Sequence, residues 1–366
     1  MHNLGISIYP EHSTFEKDAA YMELAAKYGF KRIFTCLLSV TKSKEEIVEE
    51  FTRFVGKAHE LGFIVSADTN PEVFAHLGAT PEDLSIFHEI GIDIIRLDGH
   101  FDDRLDVIIT RNPYGIKIEF NGSSDANVDG LIAHGADKNN LCICHNFYPE
   151  TYTGLSLECF NRFNKKWMEL GLHTAAFINS QQENTYGPWP VFDGLCTLEM
   201  YRNLPVSTQA RHLIATECID DILFGNAYAS EEEFKILSEI DLTKTTVRVD
   251  ICPEASEEEI GILYNYNHVG RDDHSEYFIR SSYPRLDFGK KSIPYRNPNK
   301  PMFERGDVVC VNDNLARYRG ELEVILKPIP NDGNRNLIGT IPAEELIILD
   351  EMEKHHDHLF GFVKEK

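Results

Sequence analysis

Ile92-Asp-Ile-Ile-Arg-Leu-Asp-Gly99 and, a little further on, Ile116-Lys-Ile-Glu-Phe-Asn-Gly122 carry the pattern on which the reading of this chain turns. In each, a short and mostly apolar run breaks at its end into charged and amide side chains, and a stretch with helical periodicity follows. The pattern occurs eight times between Leu4 and Ile240, in runs at 4–9, 32–38, 63–70, 92–99, 116–122, 141–148, 173–180 and 221–227. Near-continuous apolar runs, rather than alternating ones, are what parallel strands buried on both faces require. Eight of them separated by helices predict a (β/α)8 barrel over residues 1–240, near the usual barrel size.

The helical stretches carry their own signals. Residues 14–28 open on Thr14 and place Phe15, Ala19, Met22 and Ala26 at helical spacing. Residues 43–61 open Ser-Lys-Glu-Glu, a cap followed three residues later by a carboxylate. Thr80-Pro81 is expected to begin the third helix, with proline in its first turn, and Ser230-Glu-Glu-Glu to begin the last. Beyond Ile240 the pattern changes to short strands at 245–252, 277–281, 307–311, 321–326, 337–341 and 346–349, with one helix at 256–262. Strands without intervening helices predict a smaller β-barrel or sandwich over 241–366.

Bulk properties exclude several classes of function. A formal net charge of −23 argues against nucleic acid and anionic membrane as partners, since both require a large basic surface. No run approaches the ~18 apolar residues of a membrane span, and the first strand begins without a leader-like segment, so a cytoplasmic protein is expected. The eight cysteines are scattered. Cys142 and Cys144 share a strand face, but no second pair completes a zinc tetrahedron, so free buried thiols are expected.

In barrel enzymes the reacting groups project from the carboxyl ends of the strands. Those ends carry Tyr9, Glu11 and His12; Asp68 and Asn70; Arg96 and Asp98; Glu119 and Asn121; His145 and Asn146; Asn179 and Gln181; and Asn226. Asp68, Asp98 and Glu119 come from three neighbouring strands, and glycosidic cleavage needs two carboxyl groups flanking one bond, one protonated and one ionised. Glu119 with either Asp98 or Asp68 is the expected pair. Tyr9, Asn70, Arg96, Asn121, His145, Asn146, Tyr148 and Asn179 are expected to bind substrate, aromatic faces stacking on a sugar and amides holding its hydroxyls. A metal held by Asp68, His100 and His145 lacks any recognised ligand spacing, so neither metal nor organic cofactor is expected. There is no glycine-rich phosphate loop and no Gly-x-Ser-x-Gly elbow.

Residues 280–319 hold nine Lys or Arg against four Asp or Glu. The segment is either a solvated face balancing acids elsewhere or an anion site, and Arg280, Arg296, Arg317 and Arg319 are the candidate anion ligands.

Leu4-Gly-Ile-Ser-Ile-Tyr9, Leu97-Asp-Gly99, His145-Asn-Phe-Tyr-Pro149 with Tyr152-Thr-Gly-Leu-Ser156, Gly187-Pro188, Gly194-Leu-Cys-Thr-Leu-Glu199 and Arg317-Tyr-Arg-Gly-Glu-Leu322 together resemble the bacterial 6-phospho-N-acetylmuramidase family, essentially end to end. Cys196 stands where proline is expected, and Met200-Tyr-Arg202 where a basic residue and histidine are more typical. The resemblance implies a barrel followed by a cyclophilin-like β domain, and hydrolysis of the β-1,4 bond of a phosphorylated amino-sugar disaccharide, 6-phospho-N-acetylmuramyl-N-acetylglucosamine, in cytoplasmic peptidoglycan recycling. The basic segment could then flank the pocket and take the phosphate. Rival readings are an isomerase or lyase acting on a phosphosugar, a non-catalytic binding protein, or a prolyl isomerase acting through the second domain.

Overall fold

The structure, a computed structural model, describes residues 2–191, 193–296 and 299–364. The chain divides into two compact units, one of residues 1–210 with 218–240 and one of 211–217 with 241–366.

In the first unit eight parallel strands close a barrel in chain order: β1 (Asn3–Ser7), β2 (Arg32–Cys36), β3 (Ile64–Thr69), β4 (Ile94–Leu97), β5 (Lys117–Asn121), β6 (Leu141–Cys144), β7 (His173–Ile178) and β8 (Asp221–Phe224). Each overlaps one of the eight runs. Around them run α1 (Phe15–Lys27), α2 (Lys44–Glu60), α3 (Pro71–Leu77), α4 (Ser85–Ile90), α5 (Asp103–Ile109), α6 (Val128–Ala133), α7 (Leu157–Leu170), α8 (Val206–Ala215) and α9 (Glu231–Ser238). The caps are those expected at Thr14, Ser43 and Ser230, the last two closing reciprocal capping boxes with Glu46 and Glu233. Such a cap contributes about 1 kcal/mol. Pro81 is different. It sits in a turn closed by mutual backbone hydrogen bonds of Thr80 and Asp83, and the proline that opens a helix is Pro71, behind an Asn70 cap. Both X-Pro sites follow a capping residue, so local pattern could not separate them.

Register decides which side chains fill the barrel. Paired residues of adjacent strands share a face, and Cys36, Asp68, Arg96, Glu119 and Cys142 are successive rungs, so all point inward together. Phe34, Cys144, Ala175, Phe177 and Leu223 complete the inner core. Gly5 occupies an inward position where a β-carbon would overlap the Leu223 side chain and the Arg32 carbonyl; its missing side chain makes room for both.

The second unit is sheet-rich. Its strands are β9 (Thr245–Val247), β10 (Asp250–Ile251), β11 (His268–Val269), β12 (Phe278–Ser281), β13 (Met302–Phe303), β14 (Asp307–Val311), β15 (Leu322–Ile325), β16 (Ile329–Pro330), β17 (Arg335–Thr340) and β18 (Leu359–Phe362). They form a five-stranded sheet in the order β10-β17-β14-β15-β12, a three-stranded sheet β11-β18-β9 and a ribbon β13-β16. The helices α10 (Glu257–Tyr264), α11 (Arg285–Phe288) and α12 (Leu346–Lys354) accompany them. Ile262, Leu263, Val308, Val324, Ile338, Ile348 and Leu349 are among the residues of one buried core.

Three expectations fail here, the first being a single helix at 256–262, since α11 and α12 join α10. The apolar run at 346–349 is the first turn of α12, not a strand; Ile348, Leu349, Glu351 and Met352 form its buried face, and four apolar residues cannot by themselves distinguish the two periodicities. The stretch 245–252 is two short strands, and β9 pairs parallel with β18, a strand the sequence reading passed over. No helix among the described residues is long and apolar enough to cross a membrane. All eight cysteines are free.

Candidate active site

The inward rungs carry two separate sets of buried charge. Glu119 is completely buried and turns toward the amino ends of the strands, where it accepts from Arg32 Nη2 at 2.5 Å and from Ser66 Oγ at 3.2 Å. Arg32 donates its other terminal nitrogen to Asp221 at 2.8 Å, and His173 Nε2 lies 2.9 Å from the same carboxylate. Burial opposes ionisation of Asp221, but His173 and Arg32 outweigh it and hold the carboxyl below its usual range.

Arg96 turns the other way. Its Nη1 donates to Asp68 at 2.5 Å and to Asp98 at 3.3 Å, and its Nη2 to Asn146 Oδ1. Asp98 and Asn146 lie just past the ends of β4 and β6, so this cluster stands at the carboxyl mouth. Burial pushes the Asp68 carboxyl up to about 6 against the pull of Arg96, and the neighbouring Asp98 adds repulsion. The Asp98 side chain is 40% exposed. Because both carboxylates bond the same nitrogen, their accepting oxygens lie within about 6 Å of one another.

Phe34, Leu38, Phe147, Phe177 and Trp189 complete the walls of the pocket that holds Asp68, Arg96, Asp98 and Asn146. Trp189, on the long loop after β7, was not anticipated; its signal was a lone tryptophan between two prolines. A larger cavity, about 580 Å³, opens at the opposite end, among strand beginnings. Its acids Asp93 and Asp221 are already bonded to His59 and to Arg32 with His173, and that face of a barrel serves stability.

The remaining candidates surround the mouth and fix its loops. Tyr9 is buried, and its hydroxyl donates to the Gly225 carbonyl at 2.5 Å. Asn70 caps α3 through Val73 N–H, and Asn121 accepts from Ser123 N–H. Asn179 accepts from Leu195 N–H and donates to the Arg202 carbonyl. His145 is buried between Asn164 and Ser123, one ring nitrogen to each at 3.2 Å, and burial pushes it down to about 4. His100 lies 3.1 Å from Asp106. Asp68, His100 and His145 therefore each have other partners, and they do not form one of the clusters able to hold a metal among the described residues.

The loop motifs explain one another. Tyr148 pairs with Cys196 and Leu155 with Leu198, while the Glu199 carboxylate accepts from Tyr152 and Gly154 N–H, both at 2.8 Å. Arg202 pairs with Glu199 at 2.7 Å and, with those amides, holds its carboxyl down at about 2. The two departures noted in the sequence, Cys196 and Arg202, thus lie in contacts that hold loops.

The basic segment is largely matched within its own unit. Arg280 and Arg285 pair with buried Glu321, Arg296 with buried Glu259, Lys300 with Asp307, Arg305 with Asp350 and Glu353, and Arg319 with Asp313. Arg317 is exposed and has no ion pair among the described residues.

Residues 4–239 match the family described as 6-phospho-N-acetylmuramidase, N-terminal, and residues 245–361 the corresponding C-terminal family. The chain belongs to the 6-phospho-N-acetylmuramidase family. It is therefore an enzyme of the glycosidase class. A crystal structure of an uncharacterized B. cereus protein is 43% identical with a TM-score of 0.90, all of each chain being covered. A conserved Enterococcus faecalis protein of unknown function is 25% identical with a TM-score of 0.69, over 99% of this chain and 96% of that one. No functionally curated sequence matches. The family supplies the activity, and the two solved structures share the whole architecture.

Proposed function

We propose that the chain hydrolyses the β-1,4 bond of 6-phospho-N-acetylmuramyl-N-acetylglucosamine in cytoplasmic recycling of peptidoglycan, with the carboxylates at the barrel mouth as its acid and its nucleophile. The observation that carries this reading, beyond family membership, is the Asp68–Arg96–Asp98 cluster. Glycoside cleavage needs one carboxyl group that keeps its proton, and burial has raised Asp68. Asp68, pushed up to about 6, is the general acid that protonates the departing glycosidic oxygen. Asp98, half open to solvent, attacks the anomeric carbon from the other side. The glycosyl–Asp98 ester is then hydrolysed by a water whose proton returns to Asp68. Retaining enzymes hold their carboxyl groups about 5–5.5 Å apart and inverting ones about 6.5–9.5 Å, so oxygens within about 6 Å favour retention of the anomeric configuration. Arg96 limits how far Asp68 rises.

Glu119 enters this proposal in a different role from the one expected. Fully buried and bonded to Arg32, it supports the barrel floor beneath the reacting pair. Trp189 and Phe147 offer faces on which a sugar can stack. Of the four arginines considered for the phosphate, Arg317 alone has an exposed guanidinium outside any ion pair among the described residues, so it carries that part of the proposal. For the second unit we keep the cyclophilin-like arrangement that the family resemblance implies, supported by its sheet-rich core. No metal or organic cofactor is needed for two carboxyl groups to act as acid and nucleophile.

The test is product analysis. The purified chain is incubated with the phosphorylated disaccharide in ¹⁸O water and the products are separated by mass and anomer. Two monosaccharides, with the label and the β configuration on the muramyl sugar, are expected. An unsaturated or isomerised product would replace hydrolysis by lyase or isomerase chemistry, and an α product would remove the retaining mechanism.

A further inference from the structure

The cavity of about 580 Å³ at the amino ends of the strands is the second mouth of the barrel itself, because every strand sends one inward side chain into its lining. His173 of β7, Asp221 of β8, Asn3 of β1 and Arg32 of β2 make one continuous polar arc. Ile64 of β3 and Ile94 of β4 make an apolar arc across from His173 and Asp221, and Lys117 of β5 and Cys142 of β6 stand between. Each of these residues precedes an inward one of its own strand by two or four positions, so alternation turns them all toward the axis. Bulky branched side chains usually fill such layers of a barrel. Here most of the ring is polar and Ile64 is 51% exposed, so this end stays open.

What the ring can still offer a ligand is hydrogen-bond donors. The Asp221 carboxylate accepts from Asn3 Nδ2 and Arg32 Nη1, both at 2.8 Å, and lies 2.9 Å from His173 Nε2. Asp93, at the rim, accepts from Val65 N–H at 2.8 Å and lies 2.9 Å from His59 Nε2. Both carboxylates are therefore engaged. Arg32 is 3% exposed, and its Nε–H is buried with no partner, a cost to the fold that a bound acceptor would remove. Lys31 and Lys117 are exposed and outside any ion pair among the described residues. The Tyr114 ring, which also lines the cavity, stacks on His88 with centroids 4.6 Å apart and adds a flat aromatic surface to the isoleucines.

We propose that the amino mouth of the barrel binds a small organic anion, its carboxylate or phosphate head held by Arg32, Lys31 and Lys117 and its apolar or aromatic body resting on Ile64, Ile94 and Tyr114. The unspent donors are all cationic, and they choose the sign of the head in a chain whose net charge of −23 otherwise repels anions. The volume falls among small-molecule sites, which run from about 300 to 1,000 Å³, and an inorganic ion alone would leave the apolar arc in water. No reaction is assigned to this mouth. Arg32 also holds Glu119 at 2.5 Å, so a ligand on Arg32 braces the inner core and its binding is read as added stability. The site stands independently of the reaction proposed for the other mouth.

The experiment titrates the full chain calorimetrically with 3-phenylpropionate and with benzyl phosphate, which try the two heads on one body. 3-Phenylpropanamide and phenethylamine keep the body and change the charge, while acetate and inorganic phosphate keep the head alone. We expect at least one of the aromatic anions to bind once per chain with a rise in Tm, and every control to bind at least about tenfold more weakly, as loss of a charge-assisted hydrogen bond or of the apolar contact requires. The order of the two anions names the head. Ile64→Asp and Lys117→Glu, both at exposed positions and checked for folding by circular dichroism, should each weaken binding by about tenfold or more and leave hydrolysis of the phosphorylated disaccharide unchanged. A probe seated at the carboxyl mouth would instead inhibit hydrolysis and ignore both substitutions. That result, no binding of either anion, or equal binding of the neutral amide would overturn the assignment. So would a dimer in sedimentation that Ile64→Asp dissociates, since the mouth would then be a contact between copies.

Discussion

Asp68→Asn tests the proposed chemistry most directly, because it keeps the shape of the side chain and removes its proton. Arg96 retains Asp98 at 3.3 Å and Asn146, so the guanidinium is not left alone and the barrel should still form; circular dichroism checks this. General acid catalysis contributes about 10²–10⁴-fold, or about 3–5.5 kcal/mol of barrier. We expect kcat/KM on the phosphorylated disaccharide to fall by that factor. The wild type should lose activity tenfold per pH unit above about pH 6, as Asp68 surrenders its proton, and the variant should lack this limb. A substrate whose leaving group is an acidic phenol needs no proton, so the variant should cleave it at a near-normal first step. Stability offers an independent reading. The folded value lies above the unfolded one near 4, so protonation favours the folded state; this contribution is complete below about pH 4 and is lost as pH rises through about 6. The difference is worth roughly 3 kcal/mol and should vanish from the urea-denaturation pH profile of the variant. A variant that keeps the limb near pH 6, or that loses equally on both substrates, refutes Asp68 as the acid.

Asp98→Asn should abolish turnover of both substrates, and azide should restore cleavage of the activated one by forming a glycosyl azide; failure of the rescue, with the fold intact, counts against Asp98 as nucleophile. Glu119→Gln strips Arg32 of one of two buried counter-ions, so it should destabilise the chain by about 2–3 kcal/mol in urea melts while reducing kcat far less than Asp68→Asn; unchanged stability with a hundredfold fall in kcat would return Glu119 to the chemistry. Arg317→Ala should lower kcat/KM about ten- to hundredfold on phosphorylated substrate only, and equal losses on the unphosphorylated disaccharide would remove it as a phosphate ligand. Exhaustive chelation should leave the rate of hydrolysis unchanged, and loss of rate restored by zinc or magnesium would contradict a reaction run by carboxyl groups alone.

The barrel was legible in the sequence because parallel strands buried on both faces leave a mark that needs no tertiary context: apolar runs such as 92–99 and 116–122, ended by polar side chains and followed by capped helices. Asp68, Arg96 and Asp98 could be named as mouth residues for the same reason, since chain direction alone says which end of a barrel strand carries chemistry. Sequence could not say which buried charge answers which. Glu119 and Arg96 are neighbouring rungs that both point inward, yet one turns down to Arg32 and the other up to Asp68, and that choice depends on side chains contributed by strands distant in sequence. The excess charge of 280–319 was likewise visible as a count, whereas its neutralisation by Glu259, Glu321, Asp350 and Glu353 required the folded second unit. Short elements were the least legible. Residues 346–349 fit a strand or a helical turn equally well until the core they pack against exists, and the antiparallel pairing of β11 with β18 joins two brief strands about 90 residues apart that no local pattern records.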